Sequence, residues 1–306
     1  MLVYRNDAVT HTNHRPVHDD EHAFLALLHP NQQEIKHVLG SMYHCHPMII
    51  EKCLEHENRP KLNVYQNHAF FPFYFIKDDW ELIEIFVVMG KNFVIAVLTE
   101  PMPFLKELEQ EFEQSPEKMK DPGRILYEFL DLCVHHYLDF LDAIEDQVDD
   151  MESQVYDNPQ ASIASEIFST KRKIHKIRRV FSEERTVIES LMHTSFPFTA
   201  QENYVYMTDL FDHINRIVDG IDNFREALTG LLDLQMAIKS DRMNNIMKTL
   251  TIVSTFFMPL SFIVGLYGTN VKVPEYNWRY GYVWIWAWII ASVIGLWFFF
   301  RKKKWF

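Results

Sequence analysis

Two uncharged apolar runs near the end of the chain constrain its fold more than any other feature. Gly281 to Phe300, GYVWIWAWIIASVIGLWFFF, carries no charged side chain. As a helix rising about 1.5 Å per residue it matches a hydrocarbon layer of roughly 30 Å. Thr249 to Tyr267, TLTIVSTFFMPLSFIVGLY, is equally apolar, and its Pro259 is tolerable because membrane helices re-satisfy freed backbone groups. Roughly a dozen residues separate the two runs, so they form a hairpin whose outer ends share one side of the bilayer. The basic run from Arg301 to Lys304 places that side in the cytoplasm, with Trp278, Tyr280, Tyr282 and Trp305 as interfacial aromatics. The polar stretch LYGTNVKVPEYNW, residues 266–278, then faces outward.

A net charge of -12 disfavours nucleic acid as a partner and favours cations. Cys45, Cys53 and Cys133 contain no CxxC pair, which fits a reducing compartment. The first residues lack an apolar leader, so the N-terminus is expected in the cytoplasm. No Walker motif, nucleophile elbow or HExxH is present, so neither an enzyme nor a small-molecule substrate is expected.

Composition and periodicity divide the chain. Residues 1–23 read as a mobile, histidine-containing terminus, and 24–121 as a small α/β domain with β-rich runs and a hairpin turn at Gly90 to Asn92. A linker, EPMPFLKELEQEFEQSPEKMKDPG, closes that domain. Residues 122–200 read as a helical hairpin broken at Asp157, Asn158 and Pro159, its first helix acidic and its second basic. Those charges suit either antiparallel pairing or two solvated faces. Residues 201–248 begin a long stalk helix that continues through the first span, 249–267, weakened only at Gly220 and Gly230. At about 60 residues, such a helix would run on the order of 90 Å and couple the soluble part to the bilayer. The outer loop is 268–280, the second span 281–300 and the basic tail 301–306. The fold class is thus an α+β cytoplasmic domain followed by a two-helix transmembrane hairpin.

On a helical projection, Asn244, Met247, Leu250 or Thr251, Ser254, Met258, Ser261, Gly265 and Gly268 fall on one face. Small and polar residues on a membrane helix imply either close helix packing or a water-filled lining. Asn244 and Asn245 at one end and Gly268, Thr269 and Asn270 at the other place polar groups at both mouths. A hard divalent ion such as Mg2+ takes oxygen ligands, which the Gly268 carbonyl and the Asn270 amide supply. One copy cannot enclose an ion, whereas a symmetric ring can. Glu275 either adds a ring of negative charge at the outer mouth or is a solvated carboxylate beside Lys272 and Arg279.

The run TLTIVSTFFMPLSFIVGLYGTN, followed by VPE and an aromatic second span ending in KKKWF, resembles the CorA family of divalent-cation channels and transporters. Tyr267, Gly268, Asn270, Pro274 and Glu275 match that family's Tyr-Gly-Met-Asn and Met-Pro-Glu signature. The similarity extends from about residue 24 to the end. It implies a funnel-shaped homopentamer in the cell membrane, the first span lining the pore, both termini cytoplasmic, and passive flow gated by cytosolic divalent ions. It also implies an outer selectivity ring at Gly268, Thr269 and Asn270, gating positions at Asn244, Met247, Leu250 and Met258, and a regulatory ion at Asp209 with Asp78 or Asp79 across the subunit interface. For Asp209 the alternative is an ordinary exposed carboxylate. Thr269 replaces the family's usual Met and leaves the ion open among Mg2+, Co2+, Ni2+ and Zn2+, the last as in the ZntB-like branch. A membrane-anchored metal sensor that conducts nothing is the competing reading. Ten of the fifteen histidines precede residue 70, and His44, Cys45 and His46 are candidate ligands for a borderline metal.

Overall fold

The computed structural model describes all residues except 56–57, 158–162, 194–195, 271, 304 and 306, and the side chain of residue 276. Asn158 and Pro159 of the expected helix break, Val271 of the outer loop and Lys304 of the basic tail therefore lie outside the described residues. The chain divides into two compact units. The first contains Met1–Asp157 and Ala161–Leu232, and the second contains Asp233–Phe306.

The first unit is built on a seven-stranded sheet in the order β2-β1-β3-β7-β6-β5-β4. The strands are β1 (Leu2–Arg5), β2 (Ala8–His11), β3 (His22–Leu28), β4 (Asn63–Val64), β5 (Ala69–Ile76), β6 (Leu82–Met89) and β7 (Phe93–Leu98). Among the described residues, only β3 and β7 pair in parallel. The central strands read as near-continuous apolar runs because both faces of the sheet are covered. Alternate residues divide between the faces: Leu25, Ile95 and Val97 join Val38, Leu39 and Ile49 in one core. On the other face Phe24 meets Phe112 at 5.9 Å and Phe129 at 5.7 Å. Pro72 is tolerated within β5 because β4 reaches only Ala69 and Phe70, leaving the rest of that edge unpaired by any strand.

The helices are α1 (Gln32–Ile35), α2 (Pro47–Leu54), α3 (Leu105–Gln114), α4 (Pro122–Asp157), α5 (Ala164–Leu191), α6 (Tyr204–Tyr267) and α7 (Gly281–Lys302). Asn31 caps α1 by accepting from the Glu34 N–H at 2.9 Å. A π-helical segment, Lys36–Met42, follows α1.

Two differences from the sequence reading stand out, and one open alternative is narrowed. Residues 1–23 do not form a mobile terminus: β1 and β2 extend the sheet, with Leu2 and Val3 buried. The linker holds α3, whose Leu105, Leu108 and Phe112 are buried at helical spacing. No ion pair joins α4 to α5 among the described residues; Arg178 of α5 instead pairs with Asp222 of α6 at 3.0 Å. The apolar faces of α4 (Ile144, Val148, Met151) and α5 (Ile174, Ile177, Phe181) are buried, so their charges point elsewhere. The turn at Gly90 is as expected, closed by Gly90 N–H donating to the Phe93 carbonyl at 2.9 Å. Helix α6 runs unbroken through Gly220 and Gly230.

A buried carboxyl group finishes the open edge of β5. Glu184 accepts the Tyr74 N–H at 2.7 Å, while the Tyr137 hydroxyl donates to the Tyr74 carbonyl. Complete burial pushes the Glu184 carboxyl well above the ordinary carboxylate range, against the lowering pull of those donors.

Candidate functional site

In the second unit, burial along α6 separates two faces. Ile252, Phe256, Pro259, Leu260, Ile263 and Tyr267 are half-buried, at helical spacing. On α7, Gly281, Ile285, Ile289, Ser292, Leu296 and Phe300 form the matching covered stripe, and the rings of Phe256 and Phe300 lie 5.8 Å apart. The polar line Asn244, Met247, Thr251, Ser254, Met258, Ser261, Gly265 and Gly268 is exposed throughout. At about 100° per residue this line is roughly opposite the stripe that α7 covers. Met247, Leu250 and Met258 are 57%, 61% and 73% exposed. The Thr251 hydroxyl donates to the Met247 carbonyl at 2.8 Å, and that of Thr255 to the Thr251 carbonyl at 2.7 Å, which satisfies both donors within the helix. Pro259 brings no N–H to the Thr255 carbonyl one turn earlier and lies on the α7 side.

At the end of α6 the Gly268 N–H donates to the Val264 carbonyl at 2.8 Å. A Cβ at position 268 would lie 2.9 Å from that same oxygen, so any larger residue would force the helix end to shift. Thr269 closes the turn by donating from its hydroxyl to the Leu266 carbonyl at 2.8 Å. Gly268, Thr269 and Asn270 are all exposed. The 3-10 turn Pro274–Asn277 brings the chain back, and the Glu275 carbonyl approaches Gly281 so closely that a Cβ there would lie 2.4 Å away. Glu275 is half-buried, lines a cavity of about 440 Å3 with Trp278, Arg279 and Tyr282, and makes no ion pair with Lys272 or Arg279 among the described residues.

The first unit holds a separate cluster. Asp209 and His213 stand one turn apart on α6 and face Asp131 of α4, with one ligand atom from each within 4.8 Å of the others. The His213 Nδ1 is 3.8 Å from Asp131 Oδ1, and its Nε2 is 3.9 Å from Asp209 Oδ1. Both Asp131 Oδ1 and His213 Nδ1 are buried without a hydrogen-bond partner, an arrangement that a cation would satisfy. Burial raises the Asp131 carboxyl above its ordinary range; His213 and His135 oppose the shift and Asp209 adds to it. Tyr127 donates to Asp209 Oδ2 at 3.3 Å, and burial followed by the nearby carboxylates pushes its phenol up. The Arg124 guanidinium, 3.5 Å from the Tyr206 ring centroid and 5.1 Å from that of Tyr127, ties these rings together. Two carboxylates and an imidazole can hold a divalent cation, with water completing its shell.

Of these three residues, the family resemblance pointed only to Asp209. The i, i+4 spacing of Asp209 and His213 on a predicted helix was the available signal. Asp78 and Asp79 do not join this cluster within one chain. Asp78 is fully exposed and 3.8 Å from His136 Nε2, and Asp79 Oδ1 accepts the Glu81 N–H in the β5–β6 turn. The side chains of His44, Cys45 and His46 do not converge. His44 is exposed at a φ of 50°, and Cys45 is buried with its thiol pushed up to about 12. His46 caps α2 through Nδ1 and stacks on Tyr65 at 4.8 Å.

A family model described as a CorA-like Mg2+ transporter protein matches residues 19–302. YfjQ of Bacillus subtilis is 31% identical over 272 residues, covering 88% of this chain and 85% of its own. The cobalt/magnesium transport protein CorA of Thermotoga maritima is 29% identical over 282 residues, 87% of this chain and 78% of its own. The complete structure of the CorA magnesium transporter from Methanocaldococcus jannaschii aligns with a TM-score of 0.84 at 18% identity, covering 100% of this chain and 98% of that one.

Proposed function

This chain belongs to the CorA-like Mg2+ transporter family, whose members move divalent cations and are not enzymes, and from that premise we propose that it is a Mg2+ channel of the cell membrane, assembled as a homopentamer. Copies of α6 line the pore and α7 stands outside them. The observation that carries this reading is the polar line of α6, exposed on the side away from α7. A lipid-facing surface would have no use for Asn, Ser and Thr there. Rings of Gly268 carbonyls and Asn270 amides receive the hydrated ion at the outer mouth, and Glu275 gathers cations nearby. Thr269 directs its hydroxyl proton to the Leu266 carbonyl, which supports a helix-closing role for it. Both termini are cytoplasmic and flow is passive.

Gating follows from the second cluster. A cytosolic divalent ion held at Asp131, Asp209 and His213 favours the closed state, and its loss leaves like charges that bias α6 toward opening. Carboxylates of a neighbouring copy, Asp78 or Asp79, complete the shell. Flux of Mg2+, Co2+, Ni2+ and Zn2+ into proteoliposomes, compared between wild type and Asn270→Ala, tests the proposal. Mg2+ uptake that collapses in the variant is expected. If no ion moves, the chain is a membrane-anchored sensor; if Zn2+ moves in preference to Mg2+, it is a zinc transporter; undiminished flux in the variant removes Asn270 from the pathway.

A further inference from the structure

A polar cavity of about 600 Å3 opens between α5 and the ends of β5, β6 and β7 in the first unit, away from the Asp131, Asp209 and His213 cluster. Lys176 and Arg179, three residues apart on α5, line it together with Arg59 from the loop before β4. None of these three cations has an ion-pair partner among the described residues, whereas Arg178 on the neighbouring helical position is paired with Asp222.

Four carboxylates, Glu81, Glu84, Glu100 and Glu183, also line the cavity, and three of them have partners other than these cations. Glu81 and Glu100 are both held by Lys77, at 3.0 and 2.7 Å. Glu84 is buried and accepts the Asn58 N–H at 2.7 Å and the Tyr74 hydroxyl at 3.3 Å. The Tyr74 hydroxyl also reaches the Asn58 carbonyl at 2.7 Å, so this wall is braced from behind. Glu183 is the one lining carboxylate left without a partner among the described residues.

We propose that this cavity binds a small phosphate ester, with its phosphate oxygens between Arg59, Lys176 and Arg179. Two guanidinium forks and an ammonium suit a multiply charged, tetrahedral oxyanion better than a single carboxylate. The volume lies within the roughly 300–1,000 Å3 range of small-molecule sites and exceeds what a bare phosphate fills. Pro60, Leu82, Ile83 and Val180 offer apolar surface for the organic part. A nucleoside diphosphate or triphosphate has that combination of charge and size. The site lies in the same unit as the Asp131, Asp209 and His213 cluster and shares no residue with it.

Calorimetric titration of the full chain in detergent, in EDTA so that chelation of divalent ions cannot mimic binding, tests this with ADP, ATP, glucose 6-phosphate and inorganic phosphate. Saturable binding of at least one ester is expected, at least about tenfold tighter than inorganic phosphate. Arg179→Glu and Lys176→Gln should each weaken it by about tenfold or more, while Arg172→Glu, on the same exposed helix but outside the cavity, should leave it unchanged. No saturation with any ester, equal affinity for inorganic phosphate, or equal loss in Arg172→Glu would each overturn the proposal. Preference for a nucleotide over the sugar phosphate identifies the organic part, and the reverse assigns the site to sugar phosphates.

Discussion

Replacing Asp131 by Asn should make the metal-free protein more stable while removing its response to metal. Asp131 and Asp209 present oxygens no more than 4.8 Å apart. At an effective dielectric of about 20, two unit charges at that distance repel by roughly 3 kcal/mol. The Asp209 side chain is 55% exposed, so solvent screening reduces this to on the order of 1 kcal/mol. Asn keeps the shape of Asp131 and removes the charge, so in EDTA near neutral pH the variant should gain about that much. The pH dependence has a definite sign. A carboxyl whose folded value is raised favours the protonated fold, so its contribution is full below the unfolded value of 3.8 and is lost as pH rises through the folded value. Wild type in EDTA should therefore lose more stability over that rise than the variant. With a divalent ion at about 100 times its dissociation constant, wild type should gain about 2.7 kcal/mol, and the variant much less. Thermal unfolding in detergent, with EDTA or with Co2+ or Mg2+, reads both effects. A variant less stable in EDTA, or one that keeps the full metal-dependent gain, would refute the reasoning.

Other expectations follow from packing. Glu184→Ala removes the carboxyl that accepts from the Tyr74 N–H and opens a void, and should cost about 3 kcal/mol in chemical denaturation, whereas Glu184→Gln retains an acceptor and should cost about 1 kcal/mol. Because the Glu184 carboxyl is raised, wild-type stability should decline as pH rises above 4.5, a slope that Glu184→Gln should reduce; equal slopes would show that another group carries it. At Gly230 a Cβ meets nothing within 4 Å, so Gly230→Ala should stabilise α6 by up to about 1 kcal/mol in the same assay. At Gly220 a Cβ would lie 2.8 Å from Leu141 Cδ2, so Gly220→Val should instead destabilise by about 1–3 kcal/mol as α4 is forced to shift.

Long, strongly patterned segments were readable from the residues alone. The two apolar runs, the three-strand block from β5 to β7 and the continuity of α6 all rest on patterns sustained over many residues. What escaped was short or tertiary. Strands β1 and β2 have four residues each, too few to display an alternation, and only the pairing of Leu2 with Phe24 and Val3 with Ala23 reveals them. Helix α3 was hidden because glutamates outnumber its three buried apolar residues and prolines flank it. Opposite charges on α4 and α5 left pairing and two solvated faces open, and apolar contact determined which faces met. Of the candidate cluster, Asp209 and His213 share a helix at i, i+4 spacing, whereas Asp131 joins them only through the packing of α4 on α6, which no local pattern reveals.

The finished edge of β5 has a consequence for assembly. Beyond Phe70 the outer edge of that strand presents backbone groups that no strand pairs with among the described residues, and an open edge of this kind can join sheet to sheet. Glu184 and Tyr137 occupy the N–H and carbonyl of Tyr74 in the middle of that edge, and a foreign strand arriving there finds neither free. Glu184 and Tyr137 thus deny a foreign strand the backbone pairing by which sheets join edge to edge.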